Sequence, residues 1–358
     1  MKIGSFGEVL LRVTPAERRV FESLPDRAEL LYGGSEFNFC SGVRRLDEQT
    51  VFMTVLPDNP LGKGCENSIR RNDLTMDFVK VVPSGRMGLY FLEEGAGGRG
   101  SRVIYDREGS AFSSHKLTGS LVDKFVSRID HFHFTGITPA LSDLSLDNLN
   151  KILAAVKKKG IPVSFDINYR SKLWNYMIDG KPVNIKTILN NLIGSTDHLI
   201  GNESDLQNGL GIDPGKLYIK NEFDLSLYQN LMIRCASVYP HLKTITLSIR
   251  EAVSTEINKL GAILYVRDIN SFFVAPFESG EYRLMTVNGI VDRVGSGDAF
   301  AATIVRSLYK FGSNYQMVID QAFASFVLKH SYRGDQSFAT VKDIESFIEG
   351  SYTSLISR

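Results

Sequence analysis

The chain is poor in cysteine, has no excess charge of either sign and contains no long apolar run. Its three cysteines, Cys40, Cys65 and Cys235, are scattered and make no CxxC pair, which argues against a disulfide framework or a cysteine zinc site. Lys and Arg number 41 against 40 Asp and Glu, so no overall field attracts nucleic acid or an anionic membrane. Any anionic ligand must therefore be bound by local groups.

Segments that direct a protein to or across a membrane are missing as well. No run of eighteen apolar residues occurs, and Met1 to Glu8 lacks the uninterrupted apolar region of a signal peptide. Hydrophobic residues make up 43% of the 358 positions, enough for a sizeable core. We therefore expect a folded cytoplasmic protein with neither a nucleic-acid nor a membrane partner.

Short apolar runs of strand length alternate with longer segments of helical periodicity, which is typical of βαβ units. The predicted strands are Lys2 to Phe6, Val51 to Val55, His131 to Phe134, Ile161 to Phe165, His198 to Gly201 and Lys243 to Ser248. The predicted helices are Glu36 to Leu46, Gly62 to Asn72, Ser142 to Lys159, Ile185 to Ile193 and Asp224 to Val238, and the chain after Asp298 is helical too. The alternation predicts an α/β fold with a mostly parallel sheet.

Two stretches, at about 9–33 and 86–108, break this alternation and have the pattern of antiparallel strands. Ligands of parallel sheets bind at the carboxyl ends of the strands. We therefore expect these stretches to form a small β lid over that edge of the sheet.

The segment Gly295-Ser296-Gly297-Asp298 comes directly before a helical run. Glycines let a ligand approach the backbone, and successive amide N–H groups at a helix start bind anions such as phosphate. The helix dipole keeps Asp298 ionised, so that it can accept a proton from an alcohol. This combination indicates phosphoryl transfer, although a plain glycine turn capped by Asp298 would have the same sequence.

A second glycine-rich element, Gly33-Gly34-Ser35, also precedes a helix. Gly34 would let a sugar lie against the backbone, and Asn38 offers an amide to a polyhydroxylated ligand. A strand-to-helix turn capped by Ser35 is the alternative interpretation.

These two segments, about 260 residues apart, resemble the two signatures of the PfkB, or ribokinase-like, family of carbohydrate kinases. The resemblance covers the whole chain and implies a three-layer αβα kinase domain over residues 1–358, with the lid inserted in it. It further implies ATP as the donor, Mg²⁺ as the cofactor and Asp298 as the base. Gly295, Ser296 and Gly297 then present amide N–H groups to the transferred phosphoryl group.

Three more segments, 105–111, 135–141 and 165–174, resemble the family members that phosphorylate the sugar acid 2-keto-3-deoxygluconate. The substrate contacts predicted on this basis are Gly33, Gly34, Asn38, Tyr90, Tyr105, Arg107, Ile137, Asn168, Arg170 and Asp335. Arg107 and Arg170 suit the carboxylate of a sugar acid. Alternatives stay open: Arg107 could be solvated on a lid strand, Tyr90 could only pack, and Asp335 could only close a turn.

The sequence departs from the family pattern on the nucleotide side. Asn202-Glu203-Ser204-Asp205 stands where the family has NxxE, so Asp205 is the predicted outer-shell magnesium ligand. From Ser248 onward a long polar run replaces the family's glycine-containing turn, and glycine returns only at Gly261. The predicted nucleotide contacts are Asn202, Ser248, Arg250, Gly261, Ala322 and Ser325, although small core residues explain the last two equally well.

The expected reaction is transfer of the γ-phosphoryl group of ATP to the C6 hydroxyl of 2-keto-3-deoxygluconate. One alternative is a kinase of a neutral sugar, of the fructose or ribose type, or of a nucleoside. A more distant alternative is a non-catalytic sugar-binding protein on the same fold. Because an exposed lid sheet could pair between subunits, we also expect a homodimer through the lid.

Overall fold

The computed structural model describes residues 1–23, 27–178, 180–213, 223–278 and 281–350. Its strands are β1 (Lys2–Phe6), β2 (Leu10–Pro15), β3 (Ala28–Gly33), β4 (Gln49–Pro57), β5 (Val79–Val82), β6 (Gly88–Glu93), β7 (Arg102–Asp106), β8 (His131–Thr135), β9 (Val163–Asp166), β10 (Met177–Ile178), β11 (Lys181–Pro182), β12 (His198–Gly201), β13 (Thr244–Ala252), β14 (Ile257–Val266), β15 (Ser271–Ala275), β16 (Phe277–Glu278), β17 (Glu281–Tyr282) and β18 (Met285–Asn288). Its α-helices are α1 (Ser35–Arg45), α2 (Pro60–Arg71), α3 (Gly119–Val126), α4 (Asp143–Lys158), α5 (Ile185–Ile193), α6 (Leu225–Val238), α7 (Ser296–Phe311), α8 (Tyr315–Lys329) and α9 (Val341–Ile348).

The central sheet has the order β15-β14-β13-β12-β9-β8-β1-β4-β5, and β18 pairs with β14. The strands from β5 to β13 along this order are parallel, whereas β14, β15 and β18 add an antiparallel end. The inner parallel strands are buried on both faces, and β8 has no exposed position, whereas the edge strand β5 has two. This arrangement requires helices on both sides of the sheet.

Two hydrophobic clusters, one on each face of the sheet, provide this cover. One cluster includes Phe125 of α3 and Leu149 of α4, together with residues of α5 and α6. The other includes Phe37 of α1 and Phe300 of α7, together with residues of α2 and α8. The predicted three-layer αβα fold with a mostly parallel sheet is thereby confirmed. In the described part of the chain, none of the helices combines the length and apolar character of a membrane span.

The predicted boundaries agree with the structure most closely where strands or helices are strongly apolar. Strands β1 and β12 and helix α5 begin and end at the predicted residues. The polar run after Ser248 is different, because it is a hairpin in which β13 continues to Ala252 and pairs antiparallel with β14. Gly261 therefore lies inside a strand opposite Ile249, rather than in a turn.

Four strands form a separate small sheet with the order β3-β2-β6-β7, which we call the lid. All four lie within the two stretches predicted to form it. Its inner face includes Leu10, Arg12, Tyr90 and Tyr105, since Arg12 pairs with Tyr90 and Tyr90 with Tyr105 across neighbouring strands. The lid thus presents polar and aromatic side chains toward the carboxyl-end edge of the central sheet.

Helix α1 is attached to this edge by a buried carboxylate. Glu36 accepts hydrogen bonds from the Thr135 hydroxyl (2.7 Å), the Thr138 hydroxyl (2.9 Å) and the Thr135 backbone N–H (3.2 Å). Both threonines follow or end β8, so these bonds connect the first turn of α1 to the neighbouring strand end. The start of α1 is thereby held beside the edge where ligands of parallel sheets bind.

We predict that Glu36→Met lowers the free energy of unfolding by about 3 kcal/mol or more. The substitution leaves the buried donors of Thr135 and Thr138 without an acceptor, and each such unpaired donor costs about 1 to 3 kcal/mol. Urea denaturation measures this loss. The matched control is the triple variant Glu36→Met, Thr135→Val and Thr138→Val. It removes the two unpaired hydroxyls, so its loss of unfolding free energy should be smaller than that of Glu36→Met alone. A triple variant at least as unstable as the single one would contradict this account of Glu36.

Candidate active site

A cavity of about 560 Å³ lies between the lid and the carboxyl ends of the parallel strands. Most of the residues predicted from the sequence line it. These are Gly34, Asn38, Tyr90, Tyr105, Arg107, Ile137, Asn168, Arg170, Asn202, Asp205, Ser248, Arg250, Gly295, Ser296, Gly297, Asp298 and Asp335. The topology therefore brings the two glycine-rich segments to one place, although they are far apart in the chain.

Four predicted positions are not among the residues that line this cavity. Gly33 faces the Asp335 carboxylate behind the wall, and Gly261 faces the Tyr282 hydroxyl from within β14. Ala322 and Ser325 are buried in α8, where the Ser325 hydroxyl donates to the Ala299 carbonyl (3.3 Å). The interpretation of Ala322 and Ser325 as small core residues agrees with these positions, and Gly261 is a strand residue instead of a nucleotide turn.

Asp298 is the third residue of α7, and both of its carboxylate oxygens accept hydrogen bonds from α1. The Ser35 hydroxyl donates to Oδ1 and the Asn38 amide donates to Oδ2 at 2.7 Å. The N-cap of α7 is Gly295 and that of α1 is Gly34, and neither makes a side-chain cap hydrogen bond. Asp298 and Ser35 are thus not helix caps, and their side chains meet each other across the helix ends.

Burial raises the pKa of Asp298 to about 6, although the hydrogen bonds from Ser35 and Asn38 lower it. The charge of Asp335 also raises the pKa, whereas that of Arg170 lowers it. A carboxyl group with a pKa near 6 is largely ionised at neutral pH, and it is a stronger base than an ordinary aspartate. The geometry and the pKa both suit a proton acceptor.

The backbone in front of α7 makes a tight turn around Gly295. Gly295 has φ of +80°, and a Cβ there would lie 1.8 Å from the Asp335 carbonyl oxygen. The Asp292 carboxylate stabilises the same turn by accepting from the Val294 N–H (3.0 Å). The Ser296 N–H makes only a long contact within the turn, to the Arg293 carbonyl at 3.4 Å. The first N–H groups of a helix have no partner within the helix itself, so this turn, which lines the cavity, suits an anion.

A polar side chain in the loop that follows β9 supports the Asp298 contacts. The Asn168 amide donates to the Ser35 hydroxyl oxygen at 3.0 Å, and Ser35 in turn donates to Asp298. Asn168 has φ of +39°, a conformation that asparagine tolerates better than most residues. The sequence alone suggests only a capping role for Ser35, because nothing local shows that it faces a residue 263 positions away.

Carboxylates form the floor of the cavity near β9 and β12. Asp205 accepts from the backbone N–H groups of Tyr169 (2.8 Å) and Asn202 (2.9 Å), so each of its oxygens has a hydrogen-bond donor. Asp166 also lines the cavity, and burial together with the charges of Asp205 and Asp298 raises its pKa. Within the described residues, no group of three or more His, Cys, Asp or Glu side chains is arranged to hold a metal. Asp205 fits a cation through water rather than by direct ligation.

Arginines also line the cavity, and they differ in whether a carboxylate already pairs with them. Arg107 pairs with Glu8 (2.7 Å), and both side chains are buried. Arg170, Arg250 and Arg293 also line the cavity but make no ion pair in the described part of the chain. Burial lowers the pKa of Arg250, and the positive charges of Arg293 and Arg170 lower it further. Such a concentration of unpaired positive charge suits an anionic ligand.

Four residues that contact Arg107 or line the cavity were not predicted from the sequence: Glu8, Asp166, Glu203 and Arg293. Asp166 and Glu203 lie within two residues of the predicted Asn168 and Asn202 at strand ends, and this proximity was the available signal. Arg293 stands two residues before Gly295 and donates to the Thr255 carbonyl at the tip of the β13–β14 hairpin (2.8 Å). That contact depends on the hairpin, which was not predicted.

An αβα fold that carries a lid, an amide-lined turn and a buried carboxylate defines a protein built to bind an anion beside a polar ligand. The profile of the pfkB family of carbohydrate kinases matches residues 2–214, so the chain belongs to that family. The resemblance found in the sequence is thereby confirmed.

Individual relatives are similar over nearly the full length of the chain. A 2-dehydro-3-deoxygalactonokinase of Haloferax volcanii is 25% identical over 350 residues, which cover 97% of this chain and 96% of that protein. A 2-dehydro-3-deoxygluconokinase of Thermoproteus tenax is 28% identical, covering 84% of this chain and 80% of that protein. The crystal structure of a 2-dehydro-3-deoxygluconokinase of Thermotoga maritima superposes with a TM-score of 0.84 at 28% identity, covering 98% and 100% of the two chains.

Proposed function

We propose that this carbohydrate kinase transfers the γ-phosphoryl group of ATP to the C6 hydroxyl of 2-keto-3-deoxygluconate, which is also called 2-dehydro-3-deoxygluconate. The main observation that supports this proposal is the Asp298 carboxylate, which is buried at the cavity wall beside the start of α7. A protein that only binds sugar has no need of a proton acceptor at this position. The names of the similar proteins support a keto-deoxy sugar acid as the acceptor.

In the proposed mechanism, Asp298 accepts the proton of the acceptor hydroxyl as its oxygen attacks phosphorus. Gly295, Ser296 and Gly297 present N–H groups to the negative charge of the transferred group, where fixed donors stabilise a transition state most effectively. Ser35 and Asn38 hold the carboxylate in place through both oxygens. Positioning and electrostatics thus do most of the catalysis, as is usual for phosphoryl transfer.

The carboxylate of the sugar acid is the feature that the cavity arginines would recognise. Arg107 points into the cavity from the lid end and is oriented there by Glu8 through Nε (2.8 Å) and Nη2 (2.7 Å). Its remaining N–H groups can donate to a carboxylate, and Arg170 offers a second guanidinium without an ion pair. Tyr90 and Tyr105 provide the apolar wall beside them.

On the nucleotide side, the proposal assigns the phosphates of ATP to the wall formed by Arg250, Ser248 and Asn202. Mg²⁺ would be held through water near Asp205, where it would supply positive charge to the phosphates.

The cytoplasmic location of the protein that is expected from the sequence stays a prediction.

The test is an ADP-release assay over a panel of acceptors with and without a carboxylate. We expect turnover with 2-keto-3-deoxygluconate to exceed that with fructose, ribose or a nucleoside by at least about tenfold in kcat/KM, since loss of one charge-assisted contact costs about 1.5 to 3 kcal/mol. The C4 epimer, 2-keto-3-deoxygalactonate, belongs in the panel because one relative is named for it. A preference for a neutral sugar would refute the acceptor, and no ADP release with any sugar would revive the non-catalytic alternative.

Two variants in the same assay separate the chemistry from recognition of the acceptor. Asp298→Asn is nearly isosteric and should lower kcat by about 10²- to 10⁴-fold on every acceptor, because the proton acceptor is lost. Arg107→Met should instead raise KM for sugar acids and leave KM for neutral sugars nearly unchanged. Full activity of Asp298→Asn, or an equal effect of Arg107→Met on both acceptor classes, would remove that residue from its role.

We also propose that the lid forms a homodimer through its outer face. Leu30 is 61% exposed and Ile104 is 50% exposed on that face, and Val13 and Phe91 lie between them in the strand register. We expect sedimentation velocity to show a dimer for the unmodified protein and a monomer for Leu30→Lys with Ile104→Lys. A monomer in the unmodified protein at micromolar concentration would contradict this interface.

A further inference from the structure

Arg12 is a fully buried arginine on the inner face of the lid, and the mechanism above gives it no role. It lies in the middle of β2 and none of its side chain is exposed. An unpaired charge at such a position would cost several kcal/mol, so its partners must compensate for the lost hydration.

Two of those partners belong to the body of the protein, and two belong to the lid or directly follow one of its strands. Nη1 donates to the Asp292 carboxylate at 2.7 Å and to the Asp335 carboxylate at 2.9 Å. Nη2 donates to Glu94 at 3.2 Å, and Nε donates to the Thr14 hydroxyl at 2.8 Å. One lid side chain thus contacts two loops that are 280 and 323 positions away in the chain.

Both carboxylates shape the loops that surround Gly295. Asp292 accepts from the Val294 N–H through Oδ1 (3.0 Å) and from the Gly334 N–H through Oδ2 (3.2 Å). Gly295 packs directly against the backbone of Asp335. The second Asp335 oxygen accepts from the Tyr90 hydroxyl of the lid (2.6 Å). A shift of either loop would therefore move the start of α7, where Asp298 resides.

We propose that Arg12 is a positioning residue for phosphoryl transfer, which joins the lid strand β2 to the two loops that hold the Gly295 turn and Asp298. The proposal rests on the proposed kinase function, but it concerns the transfer step and applies to any acceptor. It implies that the β2 side of the lid stays fixed to the body while the cavity is occupied.

The same contacts have an electrostatic consequence for Asp298. Asp335 raises the pKa of Asp298, and Arg12 neutralises Asp335. The other charged groups that act on Asp298 are Asp166 and Lys329, and Arg170 lowers its pKa. Around Arg12 itself, the titratable groups are Asp292, Asp335, Glu94 and Tyr90, with Lys329 and Arg333 nearby; Arg333 pairs with the same Glu94 and lies 4.0 Å from Asp292. Burial raises the pKa of Asp335, and the charge of Arg12 lowers it. Removing Arg12 takes away the charge that opposes Asp335, and an ionised Asp335 should then raise the pKa of Asp298.

A merely structural role makes a different prediction. Replacing a buried ion network by apolar groups is often neutral for stability, whereas removal of one partner destabilises. Stability alone therefore cannot identify a positioning role. The separation of kcat from KM and the pH dependence of kcat can, because they report on the transfer step in the folded protein.

The experiment measures kcat, KM for both substrates and the pH dependence of kcat for the full chain and four variants, using the best acceptor of the panel. In Arg12→Met we expect kcat to fall about 100-fold, the loss that a displacement of about 1 Å can cause. KM for ATP should change less than about threefold, because the nucleotide wall is untouched. The acid limb of kcat should move to higher pH, and it should move back in the double variant Arg12→Met with Asp335→Asn.

Arg12→Lys separates charge from geometry. A lysine keeps the positive charge beside Asp335, so the acid limb should stay near its original pH, but it lacks the planar fork and should recover only part of kcat. The matched control is Arg86→Met, which removes a half-buried arginine that lies just before β6 and pairs with Asp106, and which should keep kcat within about twofold. Circular dichroism gives the folded fraction of each variant.

Unchanged kcat in folded Arg12→Met or Arg12→Lys would overturn the proposal. So would a loss of activity that only follows the loss of folded protein in all three Arg12 variants. Activity of the unmodified protein in the same assay tests the proposed function separately, since a protein without ADP release fails before any variant is compared.

Discussion

The site depends on one buried carboxylate, which the start of one helix carries and the start of another stabilises by hydrogen bonds. Asp298 belongs to α7, but the groups that donate to its oxygens, Ser35 and Asn38, belong to α1. A carboxylate buried without such donors would be too costly to keep ionised. The approach of α1 to α7 is therefore the condition for a usable base, and the Glu36 contacts with β8 and the Gly295 turn serve to maintain it.

The arginines in and around the cavity divide by whether a carboxylate of the protein already pairs with them. Arg12 and Arg107 are buried and paired in this way, and only Arg107 also lines the cavity, where its remaining N–H groups face a ligand. Arg170, Arg250 and Arg293 have no such partner among the described residues and are available to phosphate or carboxylate groups. They concentrate positive charge at the cavity although the whole chain has a net charge of only +1.

Much of the fold could be predicted because its signals are local. Periodicity marks β1, β12 and α5 to the residue, and the glycine and aspartate pattern marks the start of α7. The β13–β14 hairpin was missed because its polar strand ends lack the apolar alternation that marks a strand. Ser248 and Arg250 in β13 and Thr255 in the turn after it line the cavity instead of packing in the core.

The long-range ion pairs could not be predicted from the sequence for a different reason. Arg12 and Glu8 stand in an apolar stretch, and nothing nearby indicates whether their side chains are solvated or buried. Their partners lie 280, 323 and 99 positions away. These charges come together only where the lid packs against the rest of the protein. The residues that hold the site in place are therefore harder to predict than those that form its surface.

The central claim is that Asp298 is a buried carboxylate whose charge depends on donors from α1. An NMR titration of the protein without substrates tests it directly, with ¹³C-labelled aspartate carboxyl groups and Asp298→Asn to assign the signal. The account predicts a pKa of about 6 for Asp298 and a higher one in Asn38→Leu, because a donor to the ionised form is lost. An ordinary aspartate pKa of about 3.9 that Asn38→Leu leaves unchanged would contradict it.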